Sequence, residues 1–221
     1  TRMIMVNSPC NPTGAVYTRE EIEEIVSIAI EHDLWIISDE IYSRLIWNGG
    51  EHVSPATIEG GKERTIVISG WSKTWAMTGM RVGFLAGPEQ AVRAAVKCQA
   101  NSASHIPTFM MEAARVALDC DDHVERFSDA YRHRRNLIVQ GLEDIPGLRI
   151  VNPEGAFYLF IDVTGTGMSD VQFADGALKA GVQLIPASLI TGGEGFIRVS
   201  YAASEEDIKE GIIRLRSWLL E

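Results

Sequence analysis

Leu34-Trp35-Ile36-Ile37-Ser38-Asp39-Glu40-Ile41-Tyr42 is the stretch whose reading decides the fold. Residues 34–38 form a short, nearly continuous apolar run, as expected of a strand covered on both faces, and an acid, Asp39, stands just past its end. Working outward, Met3-Ile4-Met5-Val6 reads the same way, and Thr65-Ile66-Val67-Ile68-Ser69 repeats the pattern, ending near Lys73. A further strand is expected over 81–86. Between the first two runs lies a Pro/Gly turn at 9–14, followed by Thr18, which opens a helix with Glu21 as its capping-box partner. Ile22, Ile25, Val26, Ala29 and Ile30 supply the apolar face of that helix. The alternation predicts an α/β fold with a mainly parallel sheet buried on both faces. Polar residues gather beyond the carboxyl ends of the strands, where open α/β sheets bind their ligands.

From about residue 88 the pattern turns helical, over 89–99, 108–118 and a long stretch 123–144. The tail reads as a compact α+β unit, with strands near 148–151, 157–163, 182–186 and 196–201. Its helices span 170–180 and 205–220, the second capped by Ser204. A boundary near residue 120 divides the chain into 1–120, part of a large domain, and 121–221, a small C-terminal domain. The long helix is expected to bridge them.

Composition narrows the function classes. Thirty acidic residues against 20 Lys and Arg leave a net charge of −10. That balance argues against nucleic acid or an anionic membrane surface as the main partner. An anionic ligand therefore has to be held by a few placed cations. Cys10, Cys98 and Cys120 are odd in number and widely spaced, and they form no metal-ligand pattern with the five histidines. A reducing, cytoplasmic setting is expected, with no metal site and no transmembrane run.

Five segments carry the candidate chemistry: Asn11-Pro12-Thr13-Gly14; Ser38-Asp39-Glu40-Ile41-Tyr42; Ser69-Gly70-Trp71-Ser72-Lys73; Met77-Thr78-Gly79-Met80-Arg81-Val82-Gly83; and Phe196-Ile197-Arg198-Val199-Ser200. In this order they resemble the class I/II aminotransferases of the aspartate aminotransferase fold type, over essentially the whole chain. The resemblance implies a pyridoxal 5′-phosphate (PLP) enzyme with amino acid and 2-oxo acid substrates, working as a homodimer. It implies that Lys73 forms the Schiff base and shuttles a proton at the substrate α-carbon. Asp39 would pair with the pyridinium, so that the ring drains electrons from that carbon. Asn11 and Tyr42 would bond the phenolic oxygen, Arg81 with Ser69 or Ser72 would bind the phosphate, and Arg198 would grip the substrate carboxylate as a planar fork. The family also carries an N-terminal section, with a phosphate loop, a ring-stacking aromatic and part of the dimer contact, that this sequence does not contain. The chain is expected to be the C-terminal portion of such an enzyme, with an uncovered apolar surface that favours self-association.

Each residue also has a plainer reading. Asp39 suits a strand-to-helix cap, and turn chemistry alone explains Asn11. Tyr42 serves equally as a packed aromatic, and Trp71 and Trp75 as core. Arg81 could simply edge its strand, although a second cation near Lys73 is costly unless an anion lies between them. Arg198 points away from Ile197 and Val199, toward either solvent or a ligand. Gly165-Thr166-Gly167 lacks the third glycine of a dinucleotide fingerprint and reads as a turn before a Ser169 cap. A carbon–sulfur β-lyase, a decarboxylase or a fragment without turnover would carry the same anchors.

Overall fold

The computed structural model describes residues 1–47 and 49–220. The chain forms two compact units: one of residues 1–9 with 16–127, the other of 10–15 with 128–221. The architecture is α/β, a mixed sheet with helices followed by a small antiparallel sheet with helices.

In the first unit, β1 (Met3–Asn7) is followed by α1 (Arg19–Glu31), β2 (Trp35–Asp39), β3 (Thr65–Gly70), the single turn α2 (Trp71–Thr74) and β4 (Gly83–Ala86). Helices α3 (Glu89–Ser102) and α4 (Thr108–Ala117) come next. The strand order is β1-β2-β3-β4; the first two pairings are parallel and the last is antiparallel. Helix α1 begins as its sequence dictates: the Thr18 hydroxyl accepts from Glu21 N–H while the Glu21 carboxylate accepts from Thr18 N–H. Its apolar stripe, Ile22, Val26 and Ala29, closes on Val6, Leu34 and Ile36 to make the core. Each fully buried isoleucine there contributes about 1.5–3 kcal/mol.

Two expectations about this sheet fail. It is not buried on both faces. Helix α1 packs against it on the side of Val6 and Ile36, and the opposite side leaves Met3, Met5, Ile68 and Leu85 exposed, Met5 by 69%. Registers Met3↔Trp35, Met5↔Ile37, Ile37↔Ile66 and Ile68↔Leu85 put all of these on one face. Helix α3 buries none of its residues, so an apolar strand run is here only half covered. The strand expected over 81–86 begins instead at Gly83. Residues 78–80 form a 3-10 turn, and Arg81 ends it in the left-handed region (φ 54°, ψ 39°), which breaks the extended path.

Helix α5 (Asp121–Leu142) contributes its first seven residues to one unit and the rest to the other. In the second unit the antiparallel sheet is ordered β5 (Arg149–Ile150), β6 (Tyr158–Asp162), β8 (Phe196–Ser200), β7 (Ile185–Pro186). Helices α6 (Asp170–Lys179) and α7 (Glu205–Leu220) complete it, with Ser169 and Ser204 as their caps. Phe173 of α6 meets Trp218 of α7 edge-on at 5.0 Å, and Leu159, Ile197 and Tyr201 are fully buried. Among the described residues no helix is long and apolar enough to cross a membrane.

Candidate functional site

The carboxyl ends of β1, β2 and β3 lie side by side, with Asn7 paired to Asp39 and Asp39 to Ile68. Asp39 is the last residue of β2 rather than the first beyond it. Its carbonyl accepts from Ser8 N–H at 3.3 Å, and its Oδ1 accepts from Ile41 N–H at 3.2 Å, an Asx turn that bends the chain out of the strand. This turn delivers Tyr42, which is buried.

One strand over, β3 runs into α2, which carries Ser72 and Lys73. The Lys73 ammonium lies 6.0 Å from the centre of the Tyr42 ring. Gly70, at the junction, is required by packing: a Cβ there would fall 2.7 Å from the Val82 carbonyl oxygen and 2.9 Å from Gly83 Cα. The Val82 carbonyl accepts from Trp71 N–H, so the two segments are tied at that point. Trp71 stacks obliquely near Trp75 and meets Phe84 edge-on, both at 5.8 Å, which walls the turn beside Lys73 with rings. Ser69 Oγ donates to the Glu40 carbonyl at 3.3 Å, bridging the ends of β3 and β2. Arg81 is exposed, and its guanidinium donates to the Thr78 carbonyl at 3.1 Å. The first unit thus brings together Asp39, Tyr42, Ser69 and Lys73 around adjacent strand ends, and it holds Arg81 on the turn that leads into β4.

Asn11 and Arg198 belong to the second unit. Ile197 and Val199 are buried while Arg198 between them is partly exposed, as strand alternation requires. Its guanidinium sits 4.8 Å from the centre of the Tyr158 ring and donates to Asn11 Oδ1 at 3.0 Å. The turn bearing Asn11 is fixed by Gly14, whose carbonyl accepts from both Glu154 and Gly155 N–H at 2.9 Å. Gly14 has φ +71°, and a Cβ on it would lie 2.4 Å from Pro153 Cβ. Its position therefore demands glycine twice over, by conformation and by contact.

The sequence did not single out Glu40. Its carboxylate is buried at the end of β2 and receives Oγ hydrogen bonds from Ser38 (2.9 Å) and Ser54 (2.5 Å), with His52 Nε2 at 3.0 Å from its other oxygen. The His52 approach is at ion-pair distance but off the direction of a ring N–H bond. Burial alone would raise the Glu40 carboxyl, yet the contacts with His52, Ser54 and Ser38 outweigh it and hold the group below its ordinary value. In the sequence, only its alternation with Ser38 hinted that it points inward.

A strand-end lysine beside a buried tyrosine, one strand away from a carboxylate, stands in this α/β protein where open sheets bind their ligands. The sequence profile described as Aminotransferase class I and II matches residues 1–215, and the chain belongs to that family. It is 42% identical to aromatic-amino-acid aminotransferase 2 of Thermococcus litoralis and 40% identical to an aspartate aminotransferase of Pyrococcus abyssi, each match covering the whole chain and 58% of the relative. The crystal structure of an aromatic aminotransferase from Pyrococcus horikoshii superposes with a TM-score of 0.95 at 41% identity, over 100% of this chain and 60% of that one. Aspartate aminotransferase from Thermus thermophilus with maleate gives 0.92 at 37% identity, over 99% and 57%. The chain spans less than two thirds of the length of these relatives.

Proposed function

We propose that this chain serves a PLP-dependent aminotransferase that moves an amino group between an amino acid and a 2-oxo acid. One observation carries the reading: Lys73 sits in the first turn after β3, 6.0 Å from the buried Tyr42 ring and one strand from Asp39. The donor set fits the cofactor chemically. There is an amine for the aldehyde carbon, a carboxylate for the ring nitrogen, a phenol for the ring oxygen, and hydroxyls with a guanidinium for the phosphate.

When bound, PLP supplies a carbonyl that exchanges amines and a ring that draws electrons away from the substrate α-carbon. The protein's part follows from its own groups. Asp39 would keep a proton on the ring nitrogen by opposing charge. Tyr42 would donate to the phenolic oxygen, and Arg81 with Ser69 or Ser72 would hold the phosphate. The Lys73 amine would take the substrate α-proton and return it to the carbon on the far side of the nitrogen, acting as a positioned general base and acid. Arg198 would bind the substrate α-carboxylate in its planar fork, and Asn11, already hydrogen-bonded to it, would fix the fork's direction. A homodimer is part of the proposal, supported by the exposed apolar face of the β1–β4 sheet. A cytoplasmic setting is supported by the three free cysteines.

The test is an amino-transfer assay of the chain with added PLP, a 2-oxo acid acceptor, and aspartate or an aromatic amino acid as donor, matching the names of the relatives. Transfer that Lys73→Ala abolishes supports the reading. A chain that neither transfers an amine nor develops a visible absorbance band with PLP contradicts it.

A further inference from the structure

The buried cluster around Glu40 is a polar feature that the proposed chemistry does not use. Three side chains from two separate segments converge on the Glu40 carboxylate: Ser38 from β2, and His52 and Ser54 from the stretch that follows. An apolar residue would fill the same volume without the desolvation cost of a charge. The backbone of Glu40 is equally committed. Its N–H donates to the Ile68 carbonyl at 2.9 Å, and its carbonyl accepts from Ser43 N–H at 3.0 Å and from Ser69 Oγ at 3.3 Å. Glu40 therefore lies between Asp39 and Tyr42 in sequence and joins β2 to β3 in space, at the level where Ser69 leads toward Lys73.

We propose that Glu40, anchored by His52, Ser38 and Ser54, is a positioning residue that fixes the aim of Asp39, Tyr42 and Ser69 at the cofactor end of the sheet. The carboxylate acts from behind the strand end. Three polar contacts hold its side chain in the interior, so the peptide units on either side cannot rotate. With those units fixed, the Asx turn at Asp39, the Tyr42 ring and the Ser69 hydroxyl keep one arrangement. His52 Nε2 lies 3.0 Å from the carboxylate, and it ties the 52–54 segment to the strand end without reaching the site itself. The aim toward the cofactor rests on the PLP reading; the clamp on the strand end does not.

The test uses the full chain and three variants: Glu40→Gln, His52→Gln, and Ser204→Ala as a control that weakens a helix cap far along the sequence. Two readouts separate the claims. The first is amide hydrogen exchange without cofactor: Glu40→Gln should speed exchange at residues 39–43 and 69–73 about tenfold or more, the worth of one charge-assisted hydrogen bond, and the control should not. The second is the visible absorbance of PLP added to each protein: Glu40→Gln and His52→Gln should weaken apparent PLP affinity about tenfold and move the pH midpoint of the band, while the control leaves both unchanged. Faster exchange in Glu40→Gln, with a wild-type chain that takes up no PLP, would uphold the clamp and sink the PLP reading. Unaltered exchange at 39–43 and 69–73, or a band and affinity identical to wild type in a variant that merely melts earlier, would overturn the positioning role.

Discussion

The Arg198 guanidinium donates to Asn11 Oδ1 at 3.0 Å, joining residues 187 positions apart in sequence. A guanidinium carries five donors, and this bond uses one of them. It explains how an arginine on a β-strand can be aimed by an Asn-Pro turn that sequence chemistry alone would regard as filling a bend.

Arg198→Lys should raise KM for the amino acid about 10- to 100-fold with a smaller change in kcat, because lysine keeps the charge but not the two-pronged geometry. Asn11→Ala should raise KM by a lesser factor in the same direction. Steady-state kinetics of the active protein check both, and an unchanged KM in Arg198→Lys would remove the residue from substrate binding.

Gly14→Ala should lower stability by about 1–3 kcal/mol, through a non-glycine residue at φ +71° and a Cβ pressed against Pro153. Chemical denaturation read by tryptophan fluorescence measures the loss. A variant as stable as wild type would mean that the turn on residues 153–155 relaxes freely.

The pH dependence of stability should carry the signature of Glu40. Its carboxyl is held below the ordinary value of 4.5 in the folded chain, because the contacts with His52, Ser54 and Ser38 outweigh burial. A folded pKa below the unfolded one means that the stabilisation is fully present above about pH 4.5 and is lost as pH falls through the folded value. Glu40→Gln should therefore be less stable than wild type at neutral pH, and the gap should narrow on acidification. A gap that stays constant from neutral pH to below 4 would deny the carboxylate this role.

The open face of the β1–β4 sheet should make the chain associate as concentration rises, since Met5 and Ile68 stand exposed beside Met3 and Leu85. Sedimentation velocity of Met5→Lys and Ile68→Lys should show less association than wild type. Equal sedimentation of all three across a wide concentration range would assign that face no role in assembly.

The sequence carried the local rules of this fold well. Thr18 with Glu21, Ser169 and Ser204 each cap the helix that their position announces, because capping is decided within four residues. The placement of Asp39 and Lys73 at strand ends follows from apolar runs that stop where polar residues begin; their chemical roles remain proposals. What escaped the reading depends on distant chain. Val82 is buried and the residues after it are extended, yet Arg81 is left-handed because the preceding 3-10 turn must bring β4 back antiparallel to β3. Continuous apolar strands implied two covered faces, but the face bearing Met3, Met5, Ile68 and Leu85 is exposed. Glu40 was hidden because its partner His52 lies twelve positions on, in a glycine-containing stretch with no spacing signature, and a glutamate beside an aspartate reads as solvent-facing.

We propose that Lys73, and not the four other lysines, takes the cofactor. This central claim is tested most directly by incubating the chain with PLP, reducing with borohydride and mapping the pyridoxyl label by peptide mass spectrometry. The account predicts label at Lys73, blocked when Lys73 is replaced by alanine and sparing Lys62, Lys97, Lys179 and Lys209. Label spread evenly over those four surface lysines, with Lys73 no more reactive than the rest, would contradict it.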